Sequence, residues 1–305
     1  MHRVPRHPVS LGIAVLALAI ATIGQVRAAA TTIQSTSLPP RFAHVVVVIM
    51  ENHSESQIIG NATDAPYINS LIAHGGVGFS DAHGVTHPSQ PNYIALFSGS
   101  AQGVTDDSCP QEFTDIDNLG SQLIAAGFSF VGYSENMPSA GFTGCDEGGS
   151  KLYRRKHNPW VDFNNVPDAS NQPFSSFPAD FATLPDVAIV VPNMCNDMHD
   201  CSVNTGDTWM QDNMDAYVQW ATTHDSLLIL TWDEDDFTVD NHIPLIFAGA
   251  DLVPDTYAET VDHYSILRML EDMYGLTPLG GAASRAQITD VWDDLFADGF
   301  ESLAP

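Results

Sequence analysis

Positive charge is scarce in this chain. Ten Lys and Arg face 38 Asp and Glu across 305 residues, a formal charge of −28. Three of the ten, Arg3, Arg6 and Arg27, lie in an N-terminal stretch that reads as a removable leader, so the processed chain carries seven basic groups and a charge of −31. A field of that sign repels phosphate backbones and anionic lipid at long range, which excludes a sequence-independent nucleic-acid binder and a polybasic membrane anchor. Any anionic ligand has to be captured locally. Long apolar runs are missing as well: the leader's run, Leu11 to Ile23, falls short of the roughly 20 residues that span a bilayer. There is no CxxC pair, EF-hand spacing, internal repeat or low-complexity block. With 44% apolar and only 16% charged residues, the chain can bury one sizeable core and falls outside the disordered, collagenous and coiled classes.

The basic start, the apolar run and Ala28 to Ala30 have the three-part layout of a signal peptide over residues 1–30, which predicts a secreted or periplasmic protein. The competing reading, a membrane anchor, meets the length objection above. A polar, Pro-bearing linker (31–42), one domain (43–295) and a short tail (296–305) complete the expected organisation. In an oxidising compartment an even number of cysteines favours bridges. Cys195 and Cys201 flank a short loop, which leaves Cys109 and Cys145 as the other pair. A zinc site of Cys195, His199 and Cys201 is the alternative.

Short apolar runs recur at His44 to Met50, Phe128 to Tyr133, Val187 to Val191, Leu227 to Trp232 and Ile243 to Ala248. Continuous runs of this length mark strands covered on both faces. Helical patterns lie between them, at Ala65 to His74, Gln90 to Phe97, Leu119 to Ala126, Thr208 to Thr223 and Tyr264 to Tyr274. The alternation predicts an α/β/α sandwich around a mostly parallel sheet, whose ligands gather beyond the carboxyl ends of the strands.

Those ends carry oxygen. Glu51 and Asn52 follow the first run, and Asp233, Glu234, Asp235 and Asp236 follow LLILTW. Four adjacent carboxylates repel unless a cation or solvent screens them. Glu51, Asn52, Asp233 and Glu234 are therefore candidate ligands of a divalent metal, with calcium, magnesium and manganese equally acceptable to such a site. A solvated acidic turn is the other reading, above all for Asp235 and Asp236. Ser89, in THPSQPNY, falls at the start of a helix, where it either caps or serves as a nucleophile facing free amides. Four of the seven remaining basic residues, Lys151, Arg154, Arg155 and Lys156, lie within six positions and precede His157. They either bind an anion or pair with the protein's own surface. His87, His199, His242 and His263 supply possible donors and a general acid.

With ENHS, THPSQPNYIALFSG, KHNPW, NDMHD, TWDEDD and DHYSILRMLE in this order, residues 43–293 resemble the bacterial phosphoesterase family of the alkaline-phosphatase superfamily, and within it the secreted acid phosphatases. The resemblance implies an alkaline-phosphatase-like core and a serine-nucleophile phosphomonoesterase acting on small phosphorylated substrates, phosphoinositide headgroups among them. It implies metal ligation by Glu51, Asn52, Ser89, Asp233 and Glu234. Phosphate would be met by His87, Asn92, Lys156, His157 and His263, with His199 as general acid. The two-zinc ligand set of alkaline phosphatases is not evident, and the longer acidic motif of the phospholipase C relatives is reduced to DEDDF, residues 233–237. A histidine acid predicts an optimum below neutral pH. The rival readings are a phosphodiesterase or phospholipase C and, from another class, a non-catalytic secreted calcium binder.

Overall fold

Six consecutive residues of strand β1 (His44–Met50), from Val45 to Met50, are buried. Neighbouring residues of a strand point to opposite faces, so such a run needs cover on both sides. Each buried valine contributes roughly 1.5–3 kcal/mol relative to an exposed one. In the computed structural model, which describes residues 1–2 and 39–293, β1 lies near the middle of an eight-stranded sheet. The expected leader after His2, most of the linker and the tail lie outside the described residues.

The other strands are β2 (Val77–Phe79), β3 (Ala82–His83), β4 (Phe130–Ser134), β5 (Asn171–Pro173), β6 (Val187–Val191), β7 (Ser226–Trp232), β8 (Leu245–Gly249), β9 (Thr256–Tyr257) and β10 (Val261–Asp262). The large sheet has the order β5-β4-β6-β1-β7-β8-β2-β9, and β10 pairs with β3 in a small second sheet. Only β8 runs against its neighbours, so the sheet is mostly parallel, as expected. The helices are α1 (Glu55–Ile58), α2 (Pro66–Ala73), α3 (Ser89–Ser98), α4 (Leu119–Ala125), α5 (Val203–Ala221) and α6 (His263–Met273). α2 packs on α5 and α3 on α6, two helical layers about the sheet. Among the described residues no helix is long and apolar enough to cross a membrane.

Three elements start two or more residues away from expectation, β4 at Phe130 rather than Phe128 and two others. The strand expected from Ile243 begins at Leu245, because Pro244 has no N–H to give a ladder. α5 begins at Val203 rather than Thr208, capped by Ser202, whose side chain accepts the Thr205 N–H. Its first turn holds Gly206, where a Cβ would stand 2.4 Å from Met198 Cγ and 2.9 Å from the Asn196 carbonyl oxygen. The glycine lets the helix press against the loop that leaves β6.

Strand register sets the shape of the rim. Val45 pairs with Val187 of β6 and Leu227 of β7, and Met50 pairs with Trp232. Three adjacent parallel strands thus end side by side, and the residues just beyond them meet at one place.

Candidate active site

Glu51, at the exit of β1, has no exposed surface. Its N–H donates to the Asp197 carbonyl at 2.8 Å, which ties the β1 exit to the loop after β6. Asn52 takes the left-handed conformation, φ 39°, which Asn tolerates better than most residues. That turn aims its backbone N–H at Asp233 Oδ1, 3.2 Å away, and its Nδ2 at Glu234 Oε1, 3.1 Å away. Ser89 opens α3 without capping it; the N-cap is Pro88. The Ser89 hydroxyl lies 3.0 Å from both Glu51 Oε2 and Glu234 Oε1. Glu51, Asn52, Ser89, Asp233 and Glu234 are therefore brought together.

Burial drives the electrostatics. Glu51 is held well above the usual carboxylate range by burial and then by Asp233 and Asp197, and Asp233 likewise by burial and then by Glu234. Carboxylates so placed must be protonated or share a cation. Four buried side-chain atoms in this cluster lack a hydrogen-bond partner: Asn52 Oδ1, Asp233 Oδ2, Asp197 Oδ2 and His157 Nε2. Glu51, His157 and Asp197 each offer a ligand atom within 4.8 Å of the others. Oxygen-rich donors, mostly anionic and unspent, fit a divalent cation. Only Asp236 follows the solvated-turn reading; Asp235 has no exposed surface and is spent on its own turn. Asp235 Oδ1 accepts the Thr238 N–H at 2.8 Å, and Asp236, exposed, takes the Ser54 hydroxyl and Gln57 Nε2.

The expected phosphate contacts divide. His87 Nδ1 bonds Glu234, and its Nε2 bonds the Thr238 carbonyl at 3.0 Å. Burial opposes its charge, yet the bond to Glu234 prevails and raises its pKa. His157 is buried, stacked on Tyr93 with ring centroids 5.0 Å apart, and its Nε2 lies 3.1 Å from Glu51 Oε1. Burial and the Lys156 charge push it well below the usual range, so it stands as a neutral imidazole beside the carboxylates. Lys156 Nζ donates to Asp107 Oδ2 at 2.6 Å.

Asn92 and His263 are placed otherwise than expected. The Asn92 carboxamide accepts the N–H groups of Val85 and Thr86 and donates to the carbonyls of Thr86 and Pro88. Its bonding capacity shapes the loop before Ser89, leaving no group for phosphate. Buried His263 bonds the Asp233 backbone carbonyl through Nε2 at 2.6 Å, and burial lowers its pKa. It holds the backbone of Asp233 in place. Within the basic segment, Arg155 donates to Asp162 and to the carbonyls of Thr143, Gln111 and Val161, a peg between loops. Burial outweighs that pairing and pushes Asp162 up to about 7.

Both disulfides form as expected, Cys109–Cys145 and Cys195–Cys201, which removes the zinc alternative. The second closes the loop holding Asp197 and His199. The His199 N–H donates to Asp197 Oδ1 at 2.8 Å, and its partly exposed ring pairs through Nδ1 with Asp200 at 2.8 Å. Its Nε2 has no partner among the described residues. Sequence reasoning missed Asp197, although it too lies beyond a strand, and Tyr93, one helical turn past Ser89, whose hydroxyl donates to Glu51 Oε1.

A model of the Phosphoesterase family matches residues 62–277. Over 286 residues the chain is 46% identical to the phosphatidylinositol-3-phosphatase of Mycobacterium tuberculosis, covering 93% of this chain and 92% of that protein. Identity to the phosphate-repressible acid phosphatase of Penicillium chrysogenum is 32% over 227 residues, 69% of this chain and 55% of that one. The chain thus spans about half of that fungal relative. Among solved structures, the phosphonate monoester hydrolase of Silicibacter pomeroyi is similar with a TM-score of 0.54 at 11% identity, over 81% of this chain and 76% of that one. A Vibrio parahaemolyticus protein of the alkaline phosphatase superfamily gives 0.53 at 11% identity, over 82% and 71%. At such identity the likeness is one of fold.

Proposed function

This chain belongs to the Phosphoesterase family, and from that premise we propose that it is an exported acid phosphatase hydrolysing phosphate monoesters with Ser89 as nucleophile. The observation that carries the reading is the Ser89 hydroxyl, set between Glu51 and Glu234 at 3.0 Å each on the first residue of a ten-residue helix. A carboxylate at that distance can accept the hydroxyl proton as attack begins. The positive end of the α3 dipole favours negative charge developing beside Ser89, although of the first-turn amides Gln90's is taken by Asp107 and Pro91 has none. Lys156 offers the incoming phosphoryl group a cation in an otherwise acidic molecule. His199, oriented by Asp200, donates its proton to the departing alkoxide, and water then releases phosphate from the phosphoserine.

Glu51, Asn52, Asp233 and Glu234, with His157 and Asp197 beside Glu51, would hold one divalent cation, calcium, magnesium or manganese. Such an ion, when bound, supplies Lewis-acid polarisation and lowers the pKa of a neighbouring hydroxyl. The name of the mycobacterial relative supports phosphoinositide headgroups as one substrate class. Two disulfides suit an oxidising compartment and support export.

The test is hydrolysis of p-nitrophenyl phosphate by the parent and by Ser89→Ala. A loss of at least about a thousandfold in kcat, roughly 4 kcal/mol of barrier, with an unchanged Tm is expected. Activity kept within about tenfold would remove Ser89 from the role. Faster turnover of the bis ester would favour a phosphodiesterase instead.

A further inference from the structure

One acidic side chain outside the carboxylate cluster is tied to two parts of the site at once. Asp107 lies in the loop between α3 and α4, with its side chain 34% exposed. Its Oδ1 accepts the backbone N–H of Gln90 at 3.0 Å. Gln90 is the second residue of α3, directly after Ser89. Asp107 Oδ2 accepts Lys156 Nζ at 2.6 Å. A carboxylate at a free amide of a helix's first turn is favoured by the dipole, so Asp107 serves the helix and the lysine together.

The segments that meet here are also joined covalently. Cys109, two residues beyond Asp107, is bonded to Cys145. The Cys145 carbonyl accepts the N–H of Arg155, the residue before Lys156, at 3.0 Å. Loop and basic segment are therefore held directly by the ion pair, 49 positions separating its partners, and indirectly through Cys145, disulfide-bonded to the loop and hydrogen-bonded to Arg155.

The surroundings explain why such an anchor matters. Lys156 is within electrostatic reach of Glu51, Asp197 and Asp233. An ammonium on a flexible four-carbon stem would fold onto those carboxylates, where it would occupy their oxygens and be lost to a substrate. A carboxylate outside the cluster holds it back.

We propose that Asp107 is a positioning residue: it keeps the Lys156 ammonium off the Glu51 and Asp233 carboxylates, available to a phosphoryl oxygen, and fixes it to the helix turn that bears Ser89. The proposal rests on the phosphomonoesterase reading. It assigns Asp107 no contact with substrate; the residue acts through Lys156.

A double-mutant cycle tests it. Asp107→Asn retains an acceptor for the Gln90 N–H and removes the charge; at one third exposure it leaves the core intact. Its KM for p-nitrophenyl phosphate and its Kd for inorganic phosphate by calorimetry should each rise about tenfold, with kcat within about threefold. Lys156→Gln should lose as much or more, and the double variant no more than Lys156→Gln alone. Asp107→Glu, which keeps the charge, should recover most of the loss. A purely structural role would lower Tm and kcat and persist in full in the Lys156→Gln background. That result, or an Asp107→Asn variant with parental KM and phosphate affinity, overturns the proposal. Should the parent chain hydrolyse no monoester, the functional reading fails, and the phosphate-binding cycle still decides the role of Asp107.

Discussion

Glu51 and Asp233 at the strand exits share two properties with Glu271 in α6. All three are shut away from solvent, and burial pushes all three carboxyls up, Glu271 to about 8. Their company differs. Glu271 Oε1 accepts the Leu279 N–H at 2.8 Å, and its charged neighbours, Arg268 and Asp272, act in opposite directions. Around Glu51 stand Asp197, Asp233, the Ser89 hydroxyl, Tyr93 and His157. A raised proton affinity therefore reports burial. What makes a site is the convergence of unspent donors at one point, here produced by three adjacent strands ending in register.

The comparison can be broken most severely by neutralising one carboxyl on each side. Asp233→Asn should lower kcat/KM for a monoester by about a thousandfold or more, as expected when a group acts in the transition state. Glu271→Gln should leave it within about threefold. Equal losses would show that the two sets are not different in kind. In chelator, Asp233→Asn should melt higher than the parent, since it removes a carboxyl whose ionisation burial and Glu234 oppose.

Cation linkage sharpens the contrast. A divalent ion at about a hundred times its Kd adds about 2.7 kcal/mol to the stability of a chain that binds it only when folded. Thermal melts with and without added ion should show that gain in the parent and in Glu271→Gln, and lose it in Asp233→Asn.

A smaller effect belongs to Glu271 itself. Its folded pKa of about 8 lies above the ordinary 4.5, so the folded state holds the proton more tightly. The stability this contributes is complete below about pH 4.5 and is lost as pH rises through about 8. Tm should fall between pH 5 and 9, less steeply in Glu271→Gln. Identical slopes would place the ionised carboxylate in a solvated setting. The smallest effect is expected at Gly206→Ala, where the added methyl would meet Met198 and the Asn196 carbonyl beneath the Asp197 loop. A shift of that loop should reduce kcat/KM by about fivefold, with a Tm loss of a few degrees.

Much of the fold was legible because buried strands leave unbroken apolar runs, as in HVVVVIM and LLILTW. The strand exits led directly to Glu51, Asn52, Asp233 and Glu234. Other roles depended on distant partners. Asn92 has the same composition whether it meets a substrate or the backbone of Val85 and Thr86, and only the folded loop decides. In NDMHD the histidine is the conspicuous residue, while Asp197 is the side chain turned toward Glu51. His157 was expected at phosphate, but the short helical turn at Arg155–His157 seats it against Glu51 and Tyr93. The Asp107–Lys156 pair leaves no period in a sequence, since nothing local links residues 49 apart.

The most direct measurement is a calorimetric titration of the metal-free parent and of Asp233→Asn with calcium, magnesium and manganese in turn. One ion should bind per parent chain, with binding of that ion restoring monoester hydrolysis, and Asp233→Asn should show neither. Undiminished binding by the variant, or full hydrolysis by the stripped parent, would contradict a cation held at the joint exit of β1 and β7.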